Sequence, residues 1–144
     1  MDKDTVIVQV NSSAIRNALV LQAEITEEMS RLFRADVYLK TDKKIDTAEV
    51  LNTVATISIN IDEKNIRYFS GIIELATFEN IVSTEGVDNG NILYIRIVPT
   101  FARAQFSTKY RSFQERTAID IIYDVLKENN ITNFKVSLQN QNRL

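Results

Sequence analysis

Hydrophobic and polar residues alternate with a period of two along much of the chain, as they do in strands buried on one face. The clearest run is Val54 to Ile61, with Ile57, Ile59 and Ile61 on one side and Thr56, Ser58 and Asn60 on the other. A polar turn, Asp62 to Asn65, separates it from a second run, Ile66 to Phe78, so the two read as a hairpin. Gly71 interrupts the second run, and an isolated glycine in a strand suggests a bulge or bend that lets a sheet curl. After a polar loop, Ser83 to Asn91, alternation resumes from Ile92 to Val98, where Leu93, Ile95 and Ile97 oppose Tyr94 and Arg96. Pro99 ends that strand because it has no N–H to donate.

Leu19 to Ile25 and Arg34 to Lys40 also read as strands, joined by the polar connection Thr26 to Arg31, and Asp46 to Leu51 reads as one or two helical turns. The one long helix opens at Thr117, an N-cap with Asp120 in the capping-box position, and Ile121, Ile122, Val125 and Leu126 follow at helical spacing. Asn129-Asn130 offers its stop, and Ile131 to Leu138 reads as a last strand. Several strands with one real helix define a mainly β, α+β chain: an antiparallel, barrel-like sheet with the helix of the C-terminal half packed on it.

Composition narrows the chemistry. The 144 residues include no Cys and no His, which removes disulfides, thiolate nucleophiles, Cys-ligated zinc, imidazole ligands and the usual proton shuttle. Seventeen basic against nineteen acidic residues leave no basic surplus for nucleic acid. No stretch reaches the length of a membrane span, no secretory leader is visible, and the few Gly and single Pro favour one domain over residues 1–144.

The acidic groups Glu27-Glu28, Asp42/Asp46/Glu49 and Asp62-Glu63 could each be an acid/base pair, since two carboxylates suffice for glycan hydrolysis. Each lies in or beside a turn, where solubility and capping already account for carboxylates. Asp88-Asn89-Gly90-Asn91 lacks the ligand spacing of a calcium loop and reads as a tight turn, and no phosphate-cradling glycine motif occurs. One charge pattern stands out. Glu74, Glu79, Glu85 and Asp88 occur without a basic residue among them, whereas Arg96, Arg103, Lys109, Arg111 and Arg116 are accompanied by Glu115 alone. Such a pattern fits either pairing within one chain or a head-to-tail contact in a ring.

The order of short motifs is also specific. Ser30-x-Leu32-Phe33 leads into the Val37/Leu39 strand, followed by Ile45-Asp46, Val50-Leu51, the strand from Val54, and Arg67-Tyr68-Phe69-Ser70-Gly71-Ile72. Tyr94-x-x-x-x-Pro99, Tyr110-Arg111-Ser112-Phe113-Gln114 and the helix Ile119 to Leu126 complete the series. From about Ala18 to about Leu138 this resembles the N-terminal part of VgrG spike proteins of type VI secretion systems, and of the related baseplate hubs of contractile phage tails and late-control D-like proteins. Asn52 departs from the pattern, standing where the family often has Gly, and Phe101 stands where an aromatic, often Trp, follows the Pro.

The resemblance implies a tail-tube-like β-barrel domain, the N-terminal part of a longer hub, with no enzymatic activity and no cofactor. It implies partners too: own copies or homologous tube-like domains in a ring, an inner tube protein (Hcp in secretion systems), and spike or needle domains. Such a part is made and assembled in the bacterial cytoplasm and exported with the apparatus, without membrane insertion by this domain. A sheet with one apolar and one Thr/Ser/Asn face suits a ring with a wet inner wall. Arg67, Tyr94 and Arg96 are candidates for a lumen wall or subunit contact, and Glu74, Glu79, Arg103 and Arg111 for the charged contact. The rivals are a carboxylate-based cell-wall glycan hydrolase and a stand-alone adaptor that takes cargo on a strand edge.

Overall fold

The computed structural model describes residues 6–61, 65–82, 88–106, 110–132 and 134–137. The chain forms two compact units, Met1–Pro99 and Thr100–Leu144. Among the described residues of the first, six strands make one antiparallel sheet: β1 (Ile7–Ser12), β2 (Ala18–Thr26), β3 (Arg34–Thr41), β4 (Val54–Asn60), β5 (Ile66–Val82) and β6 (Asp88–Val98). Their order across the sheet is β1-β4-β5-β6-β3-β2, and the outermost strands, β1 and β2, approach one another. The sheet is therefore a nearly closed barrel.

The alternation explains the closure. Ala35, Val37 and Leu39 of β3, Ala55 and Ile57 of β4, Phe69 and Ile73 of β5, and Leu93, Ile95 and Ile97 of β6 join one core, against which Val8 and Val10 of β1 and Val20, Ala23 and Ile25 of β2 pack. Rows from all six strands can meet only if the sheet curls around them. Removing each fully buried Leu or Ile from water contributes about 1.5–3 kcal/mol, so the apolar rows fix which face points inward. The complementary rows look outward, where Thr56 of β4 and Ser70 of β5, opposite each other in register, share a hydrogen bond of 2.9 Å.

Three register shifts adjust the curl. The β5–β6 register shifts between Ile73 and Leu75 and again between Asn80 and Val82, and the β2–β3 register between Val20 and Gln22. Gly71 is not itself the bulge that its sequence context suggests. It pairs in register with Ala55, and a Cβ placed there would lie 1.9 Å from the Val98 carbonyl oxygen. Its role is to admit a neighbouring backbone, with the bend falling just after it. Before β4 the chain forms the short helix α1 (Thr47–Val50), where the Asp46 carboxylate accepts a hydrogen bond from the Ala48 N–H at 2.9 Å. Asn52 then adopts φ 62°, while its N–H bonds the Ile73 carbonyl at 2.8 Å. The left-handed backbone gives a physical reason for a residue of glycine type at this position.

The second unit holds a 3-10 stretch, Thr100–Phe106, and the helix α2 (Ala118–Glu128). Thr117 caps α2 through a reciprocal box with Asp120, as the sequence indicates. At the other end Asn130 sits at φ 55°, the Asn130 N–H bonds the Lys127 carbonyl (3.0 Å), and the Ile131 N–H bonds the Leu126 carbonyl (2.9 Å). This is a Schellman arrangement, with the buried Leu126 and Ile131 at the two positions that accompany it.

Other expectations need correction. The described residues between Ile131 and Lys135, and on to residue 137, form no strand, because alternation without a neighbouring edge cannot make a ladder. The polar loop is shorter than Ser83 to Asn91: β5 continues to Val82 and β6 begins at Asp88, so Asp88 to Asn91 belongs to a strand rather than a tight turn. The turn residues Asp62 to Lys64 lie outside the described residues, although the Ile61 N–H donates to the Asn65 carbonyl across their ends at 3.0 Å. Strand β1 and the 3-10 stretch were not anticipated by the alternation pattern.

Candidate subunit surface

The antiparallel register of β3 and β6 sets Asp36 opposite Arg96 and Tyr38 opposite Tyr94, all on the outward face. Tyr94 Oη donates to Asp36 Oδ1 at 2.6 Å, and Arg96 Nε donates to the same oxygen at 2.8 Å. Arg96 Nη2 also donates to Tyr94 Oη at 3.0 Å, and Arg34 Nε reaches Asp36 Oδ2 at 2.9 Å. The rings of Tyr38 and Tyr94 lie 5.0 Å apart, tilted by 36°. One carboxylate thus organises two arginines and a tyrosine into a closed network.

The electrostatics follow from that geometry. Partial burial alone would raise the Asp36 carboxyl, but the hydrogen bonds from Tyr94 and Arg96 and the charges of Arg96 and Arg34 outweigh it and hold the group below 3.8. Burial, then the hydrogen bond to Asp36 and its charge, push the Tyr94 phenol above 10.0. Arg96 is held more firmly protonated, first by its hydrogen bond to Asp36. A carboxylate kept ionised by donors on every side is poised to hold shape, and it is the opposite of a raised, proton-donating acid.

Arg67 belongs elsewhere. It shares the parity of the core residue Phe69, so it turns toward the core side of β5, where its guanidinium sits 5.0 Å from the Phe69 ring centroid. Arg67 Nη2 bonds Glu27 Oε2 at 2.7 Å, tying β5 to the residue that follows β2. The side chains are 56% and 48% exposed, so this tie contributes at most about 1 kcal/mol. The fold therefore brings Tyr94 and Arg96 together and keeps Arg67 apart from them.

The charged candidates are distributed as follows. Glu74 lies at the β5 bulge and Glu79 opposite Ile92, both exposed. Arg103 lies in the 3-10 stretch; Arg111 pairs with Glu128, and Arg116 with Asp124 at 3.9 Å, both within the second unit. Glu85 and Lys109 lie outside the described residues. Asp36, the centre of the network, escapes sequence reasoning because it is 58 and 60 residues from its partners. The available signal is its parity with Arg34 and Tyr38 on the wet face of a strand.

Of the acidic groups, Asp42, Asp46 and Glu49 line one cavity of about 400 Å³ together with Arg16, Lys43 and Lys44, and Asp46 also caps α1. Glu27 pairs with Arg67 and Glu28 with Arg31 (3.3 Å), while Asp62 and Glu63 lie outside the described residues. Among the described residues no cluster of three or more acidic side chains could hold a metal ion. Among the described residues no helix is long and apolar enough to cross a membrane.

Against known proteins, the sequence matches the phage tail baseplate hub (GPD) family over residues 26–143, and the chain belongs to that family. It is similar to two Pseudomonas aeruginosa proteins, the type VI secretion system spike proteins VgrG2a and VgrG2b, with 26% identity over 117 residues in each case. These alignments cover 81% of this chain but 13% and 11% of the two spike proteins. Among solved structures, it shares its fold with the E. coli c3393 protein, described as a type VI secretion component structurally similar to the T4 tail proteins gp27 and gp5. That likeness has a TM-score of 0.64 at 21% identity, covering 83% of this chain and 32% of the other.

Proposed function

We propose that this chain is a structural module of a contractile injection machine, a type VI secretion spike or a phage baseplate hub, working by surface complementarity and not by bond chemistry. In this reading it assembles with copies or homologous tube-like domains in a ring, and docks to an Hcp-like inner tube and to spike or needle domains. It is built in the bacterial cytoplasm and leaves with the apparatus. The observation that carries the proposal is a barrel-like sheet with its apolar rows turned inward in a chain of the baseplate hub family. Its outward rows leave polar surface for neighbours, including the Asp36 network and the exposed Glu74 and Glu79.

The test mixes the chain with a homologous second tube-like domain and with an Hcp-like tube protein, and measures mass by analytical ultracentrifugation from low to high salt. Ring-sized complexes that weaken as salt rises are expected if Glu74 and Glu79 meet a basic edge. Failure to associate with either protein at any salt overturns the proposal.

A further inference from the structure

The outer wall of the sheet is divided by charge. On β6, β3 and β2 its outward side chains include Arg96, Asp36 and Glu24 in one cross-strand row. On β1, β4 and β5 the registers instead align Gln9, Ser58 and Tyr68 in one row and Asn11, Thr56 and Ser70 in the next, with Ile7, Asn60 and Ile66 on the other side of the first. None of these outward residues is charged. Charged residues make up 25% of the chain and favour exposed positions, so nine such places would ordinarily hold about two or more. Thr56 and Ser70 hydrogen-bond each other, whereas among the described residues no hydrogen bond engages the side chains of Gln9, Asn11, Ser58 or Tyr68. The Tyr68 side chain stands 65% exposed beside them.

A cavity of about 640 Å³ lies over this face, lined by Gln9, Asn11, Thr56, Ser58 and Tyr68 and bordered by Leu19 of β2. Its lining admits few ligands. An anion or a cation would lose water there and find no counter-charge. Nucleic acid needs basic side chains for its phosphates, and the face has none. An added peptide strand needs a free backbone edge, but β4 is flanked by β1 and β5, and β2 approaches the far side of β1. What the face offers is an aromatic ring that can cover apolar C–H groups, surrounded by amides and hydroxyls that both donate and accept. We propose that it binds a neutral oligosaccharide, with one sugar ring stacked on Tyr68 and the hydroxyls of that ring and its neighbour bonded by Gln9, Asn11 and Ser58. Three strands about 4.8 Å apart make the polar field about 10 Å wide, which accommodates two sugar rings. With no carboxylate on the face, the sugar is held and not cleaved. This binding does not rest on the hub reading, and its absence would leave that reading intact.

The probes are three neutral tetrasaccharides, cellotetraose, maltotetraose and N-acetylated chitotetraose, with the anionic tetragalacturonate for comparison. Each is titrated into the isotope-labelled full chain up to tens of millimolar. At least one neutral probe should shift the side-chain amides of Gln9 and Asn11 and the Tyr68 ring in a saturable way, and tetragalacturonate should not. Tyr68→Ala should weaken that binding about tenfold or more, whereas Tyr68→Phe, which keeps the ring, should stay within about threefold of the parent. Gln9→Ala, on an exposed side chain, gives a second readout and should weaken binding about threefold or more. All three variants should keep the far-UV circular dichroism of the parent. No saturable shift with any neutral probe, undiminished binding by Tyr68→Ala, or equal binding of tetragalacturonate overturns the proposal. So does a self-association of the chain that Tyr68→Ala abolishes, which would make a second copy the occupant.

Discussion

Gly71→Ala adds one methyl group to a strand, and β-propensity alone would favour the alanine. The structure reverses the sign. The new Cβ would lie 1.9 Å from the Val98 carbonyl oxygen and 2.6 Å from its carbon, whereas real Cβ atoms essentially never come within 3.0 Å. Relief requires β5 and the end of β6 to part by roughly an ångström, beside the Ile72↔Val98 pair. That movement puts about two ladder hydrogen bonds, worth about 0.5–1.5 kcal/mol each, out of range. Overpacking adds about 1–3 kcal/mol, and the stiffer unfolded chain returns about 0.4–1 kcal/mol. The expected net loss is about 1–6 kcal/mol, centred near 3, a large fraction of a typical domain's stability. With no Trp in the chain, urea unfolding is followed by far-UV circular dichroism, and the midpoint should fall by about 1–2 M. Ser70→Ala, next door on the exposed face, is the control and should lose only the hydroxyl contact to Thr56. An unchanged or higher midpoint for Gly71→Ala would refute the close-approach explanation.

The Asp36 carboxyl is held below 3.8, so its contribution to stability is present above about pH 4 and drains away as pH falls through the lower folded value. Asp36→Asn should flatten the acid limb of urea midpoint against pH, and an unaltered slope would count against the network. Asn52→Gly should be neutral or slightly stabilising, while Asn52→Val should cost about 1–2 kcal/mol at φ 62°, as read by thermal unfolding. Thr117→Ala should remove about 1 kcal/mol and fray the first turn of α2, visible as faster amide exchange at Asp120.

Local rules carried most of what was legible in the sequence. The β4–β5 hairpin, the end of β6 at Pro99 and the Thr117 and Asn130 caps each depend on residues a few positions apart, where side-chain chemistry and backbone preference act directly. What was not legible depends on distant neighbours. Strand β1 is a strand because β4 pairs with it, and Ile131 onward is not one because no described edge does. The Gly71 contact comes from β6, and the Asp36 network needs the β3–β6 register, which alternation fixes only to a choice of face. The facing of Arg67 follows from parity counted from Phe69, the nearest core residue, which its charge alone does not indicate.

The bulge at Glu74 has a consequence for how this chain can change length. Ile73 and Leu75 flank it and pair with Ile97 and Arg96, which are consecutive on β6. Deleting Glu74 would leave those pairs in simple succession and every apolar residue on the side it now occupies, whereas deleting Ile73 would carry the Glu74 carboxylate into the core place opposite Ile97, and deleting Leu75 would put it opposite Arg96 in place of an apolar side chain. Position 74 is thus where β5 can lose a residue and keep its pattern, exchanging only some of its curvature for a straighter ladder.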